Sequence, residues 1–556
     1  MCSKYGRLRQ KRYIRQDILS TMDIKGTLVN VFTGDMYPVQ VEFSNRIISI
    51  KEINQELPVY ILPGFIDSHI HIESSMLCPS RFAEAVVPRG TTCTISDPHE
   101  IANVMGMKGV AYMMEDTSVL KVYYTAPSCV PATPYETAGA VLTAHDVKEL
   151  LTEHGLIALG EVMNYPGVVQ GDREVLEKIG IATQCKKPID GHAPGLSGES
   201  LQKYVYHGIS TDHECTTYEE AEEKQKLGMK IMIREGTASK NLKDLRGLNY
   251  EPCFLVSDDL HPEDLIKGHL DILLRKAVSY GIDPVTAVKM VTINPANHYN
   301  LNAGAIAPGR EADIVVVDNL KTFSVKKVFI NGVLVAQDGN PLFSVSPAPL
   351  QTTLRVQKKT PEDFAIPYTG DDSVMIRVIK ITEDQLYTAA EQYRVPCSQG
   401  EILPDIAQDI LKLVVVERYG HNRIGKGFVK GFGLERGALA TSVAHDSHNI
   451  IAAGVSDTAL AQAVNAVVEC GGGIAACDTT CRVLKLPIAG LMSQEPLNAV
   501  ARDHKTVREY AGDLGCTLEN PFMQLSFLAL LVIPELKLSD KGLFDVRLFS
   551  FVDVIV

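Results

Sequence analysis

The chain has 556 residues, of which 45% are hydrophobic and 22% charged, the composition of a globular protein able to bury several cores. Its formal net charge of -13 argues against a general nucleic-acid-binding or membrane-binding surface and leaves room for a small neutral substrate. The 12 cysteines form neither a CxxC zinc pair nor a dense disulfide framework, so the expected compartment is a reducing cytoplasm.

In chain order, residues 1–15 are polar and basic, which is not the pattern of a secretory signal, and residues 1–20 are expected to form a helix or loose arm. Short alternating runs at 27–31, 37–43 and 47–50, separated by Gly, Asn and Asp turns, read as strands of a small sheet domain. A matching piece returns at 304–340, where Val328-Phe329-Ile330 is followed by Asn331-Gly332, a type I′ hairpin signal. The two pieces read as one domain interrupted by residues 61–300. Within that insertion, apolar runs ending near Ser68, Ser96, Ala126, Gly160, Asp190, Thr211, Ile233 and Ser257 alternate with helix-like stretches such as 79–87 and 217–227. Eight such units fit a (β/α)8 barrel.

The expected fold class is therefore α/β: a (β/α)8 barrel inserted in a small β-sandwich domain, with an additional C-terminal α/β domain. The boundaries are 1–60 for the N-terminal arm and first half of the small β domain, 61–300 for the barrel, 301–350 for the second half and 351–556 for the C-terminal domain. Residues 351–400 read as a transition. Farther on, the glycines of 425–433 fit neither GxxxxGK[ST] nor GxGxxG, so no nucleotide-phosphate loop is expected. A polar knot, His445-Asp446-Ser447-His448-Asn449, lies between apolar strands, and 461–469 looks helical. The apolar run 525–533 is too short to span a membrane.

Barrel active sites sit at the C-terminal ends of the strands. His69 and His71 end the first strand, and their spacing of two puts both imidazoles on one side of an extended chain. Asp97, His99 and Glu100 follow the second strand, Glu161 the fourth, His192 the fifth, His213 the sixth, and Asp258 and Asp259 the eighth. Any one of them reads equally well as a cap or a salt-bridge partner; their matched placement argues for a metal site. His, Glu and Asp without Cys suit a hard or borderline divalent ion. His69, His71 and Asp258 are expected at one ion and His192 and His213 at a second, with Glu161 bridging. Such ions activate water for hydrolysis. Asp258 is suited to accept a proton from that water and pass it to the leaving group. His99, Glu100 and Glu73 are candidates for substrate binding or proton relay, with loop capping as the plain alternative. Ser74 and Ser75 lack a GxSxG elbow and read as orienting or capping residues.

The strings Pro63-Gly64-Phe65-Ile66-Asp67, His69-Ile70-His71-Ile72-Glu73-Ser74-Ser75, Asp97-Pro98-His99-Glu100-Ile101-Ala102-Asn103-Val104, Gly160-Glu161-Val162-Met163-Asn164, Asp190-Gly191-His192-Ala193-Pro194, Asp212-His213-Glu214, Arg234-Glu235-Gly236, Ser257-Asp258-Asp259 and Ala444-His445-Asp446-Ser447-His448-Asn449 go further. With them the sequence resembles the amidohydrolase superfamily and, more closely, its adenine deaminase family. The resemblance covers nearly the whole chain. It implies metal ligation by His69, His71, Glu161, His192, His213 and Asp258, with glutamate in the place where many amidohydrolases carry a carbamylated lysine. It implies two divalent ions, Mn(2+) first and Fe(2+) or Zn(2+) as alternatives. It implies hydrolysis of adenine to hypoxanthine and ammonia in purine salvage, in the cytoplasm, by a homodimer or higher homo-oligomer without nucleic-acid or membrane partners. The catalytic candidates are then Asp258, Glu73, Glu100 and His99, and the substrate-binding candidates Ser74, Asp97, Arg234, His445, Asp446 and His448. The His445–Asn449 knot is expected either to close over the barrel mouth or to form an interdomain hydrogen-bond network.

The alternatives are another amidohydrolase acting on a cyclic amide, amidine or N-acetyl substrate, or a catalytically inactive metal-binding homologue. Position 161 is not lysine, Arg234 is the one evident cation for a phosphosugar, and all six ligand positions are filled, so both alternatives are weaker. A zinc deaminase of the HxE…PCxxC kind is excluded: His71-Ile72-Glu73 imitates its first half, but Pro252-Cys253 has no second cysteine after it.

Overall fold

Alternating apolar residues build the first hairpin. Met22–Val29 pairs antiparallel with Met36–Phe43, which pairs in turn with Ile47–Glu52. Leu28, Val39, Val41 and Phe43 point inward. The computed structural model describes residues 21–237, 239–382 and 387–556, so the arm expected at 1–20 lies outside the described residues. Tyr60–Pro63 runs parallel to the first strand and antiparallel to Ile314–Val317, which joins the two halves of the small domain in one 8-stranded sheet. That sheet curls on itself. The rings of Phe43 and Phe329 meet at 5.3 Å although their strands are not neighbours. The hairpin of Val325–Ile330 and Val333–Gln337 turns through Asn331 (φ 49°) and Gly332 (φ 75°), both left-handed as a type I′ turn requires. A Cβ on Gly332 would stand 1.6 Å from the Ser44 carbonyl oxygen, so the turn admits only glycine there.

The barrel strands are Phe65–Ile70, Thr91–Ser96, Lys121–Ala126, Ala158–Val162, Ile189–Gly191, Thr211–Asp212, Lys230–Arg234 and Phe254–Val256. Each ends within two residues of its expected position. The first five form one parallel sheet and the last three another. Ser210 N–H donates to the Ile189 carbonyl at 3.0 Å on one side. A parallel bridge between Ile70 and Asp258 joins the eighth strand to the first on the other. Ile66, Cys93, Ile95, Ala158, Met232, Phe254 and Val256 of these strands pack into one buried cluster with Ala296, Tyr299 and Ala303.

The helix Tyr218–Lys226 starts where the Thr217 side chain accepts the Glu220 N–H. It places Lys224, fully buried, against Asp212. Asp212 in turn accepts the N–H groups of Glu214 at 3.0 Å and Ala193 at 3.3 Å, so this ion pair shapes the loops after the fifth and sixth strands. Burial opposes the Asp212 charge, but Lys224 and His213 hold its carboxyl down at about 2. Replacing Lys224 by Met strands that carboxylate and is expected to cost about 3–5 kcal/mol, read as a lowered unfolding midpoint. The sign with pH follows from the depressed pKa. The Asp212 contribution is complete above an unfolded value of about 4 and is lost as pH falls through about 2. The gap between wild type and variant therefore narrows over that window.

Residues 21–99, 111–129 and 142–348 form one compact unit, and residues 100–110, 130–141 and 349–556 form a second. The second unit is built on a 9-stranded sheet. The stretch expected to be a transition holds the hairpin of Ser373–Ile381 and Thr388–Ser398. The glycine-rich run lies mostly in the strand Ile424–Lys430. Ile410–Val416 and Ile450–Gly454 are buried along their whole length, with the helix Asp457–Glu469 packed over Val414, Val416 and Ala452. Cys477 and Cys481 are disulfide-bonded across a tight hairpin, a pairing that composition did not suggest. Among the described residues no helix is long and apolar enough to cross a membrane.

Candidate metal centre

The strand ends bring His69, His71, Glu161, His192, His213 and Asp258 into one cluster, buried except for the half-buried His192. Glu161 is its centre. Its Oε1 lies 3.4 Å from His71 Nε2 and 3.4 Å from His99 Nδ1. Its Oε2 lies 2.8 Å from His192 Nδ1 and 3.1 Å from His213 Nε2. Each carboxylate oxygen thus serves a separate pair of imidazoles. Asp258 Oδ1 stands 3.3 Å from His69 Nε2 and 3.4 Å from His71 Nε2. The rings of His69 and His213 stack at 4.0 Å and close the ring of donors.

This donor set fits divalent ions. His71 Nδ1 is 3.1 Å from the carbonyl oxygen of Asp97, which can only accept, so the ring proton sits on Nδ1 and the Nε2 lone pair faces the cluster. His69 Nε2 is buried without a hydrogen-bond partner among the described residues. Charge agrees with geometry. Burial opposes ionisation of Asp258, yet Arg234 and the two first-strand histidines hold its carboxyl well below the usual carboxylate range. Burial opposes ionisation of Glu161 too, and His192 and His213 overcome it. His192, although burial pushes it down, is lifted to about 9 by Glu214 and Glu161. A pocket that raises a buried imidazole this far is one that stabilises added positive charge.

The other expected site residues fall into two groups. In the barrel unit, Asp97 Oδ2 accepts the Glu161 N–H at 3.0 Å, so Asp97 orients Glu161. His99, read from sequence as a relay, stands among the metal-capable donors with His71 and Glu161. Ser74 Oγ donates to Asp259 Oδ1 at 2.5 Å, and Glu73 is buried in the turn Ile72–Ser75 beside it. Arg234 contacts Asp258 Oδ2 at 2.7 Å and Glu214 at 2.5 and 3.0 Å. Glu214 is the residue that sequence reasoning missed. It lies 3.4 Å from His213 Nε2 and 3.6 Å from His192 Nδ1, and its place directly after His213 was the available signal.

In the second unit, Glu100, His445 and His448 meet in a buried trio of their own. Glu100 Oε1 lies 2.6 Å from His445 Nδ1, and Oε2 contacts His448 Nε2. The Ala444 N–H donates to His448 Nδ1 at 3.1 Å. A neutral His448 therefore carries its proton on Nε2 and donates it to Glu100. Burial takes His448 down to about 4, which keeps the ring neutral. The trio is a hydrogen-bond chain, and it differs in this from His71, whose cluster-facing nitrogen is the lone pair. Asp446 lies next in the same knot, with Oδ1 3.9 Å from His445 Nδ1.

Residues 60–335 match the amidohydrolase family, and residues 385–550 match the adenine deaminase C-terminal domain. A relative named adenine deaminase from Methanosphaera stadtmanae is 50% identical over 96% of this chain and 99% of its own. Another of that name from Methanothermobacter thermautotrophicus is 50% identical over 95% of this chain and 98% of its own. One from Salinibacter ruber is 45% identical, over 96% and 99%. Similarity of this extent, over both matched regions and carried by chains of nearly equal span, is a family relationship: the chain belongs to the adenine deaminase family of the amidohydrolases.

Proposed function

We propose that this protein hydrolyses adenine to hypoxanthine and ammonia, in cytoplasmic purine salvage. The observation that carries the reading is Glu161, whose two oxygens each face a separate histidine pair in a chain related to adenine deaminases over nearly its full length. His69, His71, Glu161, His192, His213 and Asp258 would hold two divalent ions, Mn(2+) first and Fe(2+) or Zn(2+) as alternatives, with His99 beside them. When bound, such ions supply the Lewis acidity that makes water a nucleophile near neutral pH. We further propose a homodimer or higher homo-oligomer.

The chain's own residues handle the protons. Water adds its oxygen to C6, and its two protons end on N1 and on the departing amine, so that the C6–N bond breaks and ammonia leaves. Asp258 is ionised and its Oδ1 faces the first-strand histidines, which suits it to take a proton from water and deliver it to the amine. Three carboxyls were candidates for N1. Asp258 already serves water and the amine, and we assign N1 to Glu73, which is buried in the turn Ile72–Ser75 two residues after His71.

The test is substrate turnover by protein loaded with Mn(2+), Fe(2+) or Zn(2+) in turn. Adenine should disappear as hypoxanthine and ammonia form in equal amounts, and dihydroorotate, allantoin and N-acetylglucosamine 6-phosphate should be inert. Turnover of one of those three without adenine turnover would replace the reading.

A further inference from the structure

We propose that Arg234 and Glu214 are a positioning pair for the deamination, which selects the oxygen of Asp258 that handles protons. The inference rests on the adenine reading and deepens it. Arg234 forks onto Glu214, Nη1 to Oε1 at 2.5 Å and Nη2 to Oε2 at 3.0 Å. The same Nη1 reaches Asp258 Oδ2 at 2.7 Å. Oδ2 is thereby held, and Oδ1 is the oxygen left against His69 and His71 at 3.3 and 3.4 Å.

The guanidinium is itself fixed. The Arg234 N–H donates to Asn241 Oδ1 at 2.9 Å, and Asn241 Nδ2 donates to the Cys215 carbonyl at 2.9 Å, beside Glu214. Backbone and side chain of Arg234 are therefore both referenced to the loop after the sixth strand. The Asp258 backbone is held by donation of its N–H to the His69 carbonyl at 3.1 Å. A planar fork can hold two carboxylates in one plane of contacts; an ammonium at the same place is a point charge without that geometry. A neutral purine, for its part, offers no anion to draw a guanidinium off Glu214. Arg234 thus acts through Asp258 and not on the substrate.

The experiment compares holoenzyme carrying Arg234→Ala, Arg234→Lys and Glu214→Gln with wild type, measuring kcat, KM and bound Mn. The Ala variant is expected to lose about 10²-fold in kcat, the scale of a misplaced reacting group, with KM within about threefold of wild type and metal content unchanged. Millimolar guanidinium ion should restore about tenfold of that loss in the Ala variant and nothing in wild type, because it refills the missing fork. Lys should rescue less than the free ion does, and Glu214→Gln should show a smaller fall of the same kind. A rise in KM at constant kcat would make Arg234 a substrate contact and overturn the proposal. Loss of metal without guanidinium rescue would make its role structural and overturn it equally. Absence of wild-type turnover would remove the adenine reading and this inference with it, whereas wild-type turnover beside an unimpaired Ala variant would remove this inference alone.

Discussion

Replacing Asp258 by asparagine is expected to lower kcat for adenine by about 10³-fold while leaving the fold intact. Asp258 sits at φ 56°, in the left-handed region that Asn occupies nearly as readily as Asp and that alanine does not. Asparagine therefore keeps the backbone, and its amide oxygen still accepts from Arg234. What is lost is the negative charge and the ability to take a proton. Steady-state kinetics beside far-UV circular dichroism reads both halves. A variant within about tenfold of wild type would show that another group carries the proton.

Replacing Glu161 by alanine is expected to remove metal and activity together. Among the described residues no other carboxylate presents one oxygen to His71 and His99 and the other to His192 and His213. Without it the two donor sets lose their common ligand, and the clustered histidines face one another without the charge that drew them in. Metal analysis should find fewer than about two ions per chain at the barrel, with turnover down about 10³-fold or more. Full metal content with wild-type turnover would remove Glu161 as the bridge.

Much of this centre was legible in the sequence because it rests on short-range rules. His69 and His71 share a face through the strand period of two, and the strand ends follow from apolar runs of the length a barrel needs. The oxygen-by-oxygen division of Glu161 was not legible, since it depends on side-chain rotamers set by Asp97 and the imidazoles around it. Glu214 escaped because its meaning comes from Arg234, which lies 20 residues on and at the end of the next strand. The knot at His445 was visible as a polar cluster, but its partner Glu100 is 345 residues away, so its hydrogen-bond order could not be read locally. The two short segments 100–110 and 130–141, which group with the second unit, carry no compositional mark of that membership, because it is written in long-range packing alone.

The most direct measurement is a single incubation of the Mn-loaded protein with adenine in ¹⁸O-water. The account predicts hypoxanthine carrying one ¹⁸O at C6 and one ammonia released per hypoxanthine formed. No hypoxanthine with Mn(2+), Fe(2+) or Zn(2+), or hypoxanthine without the label, would contradict it.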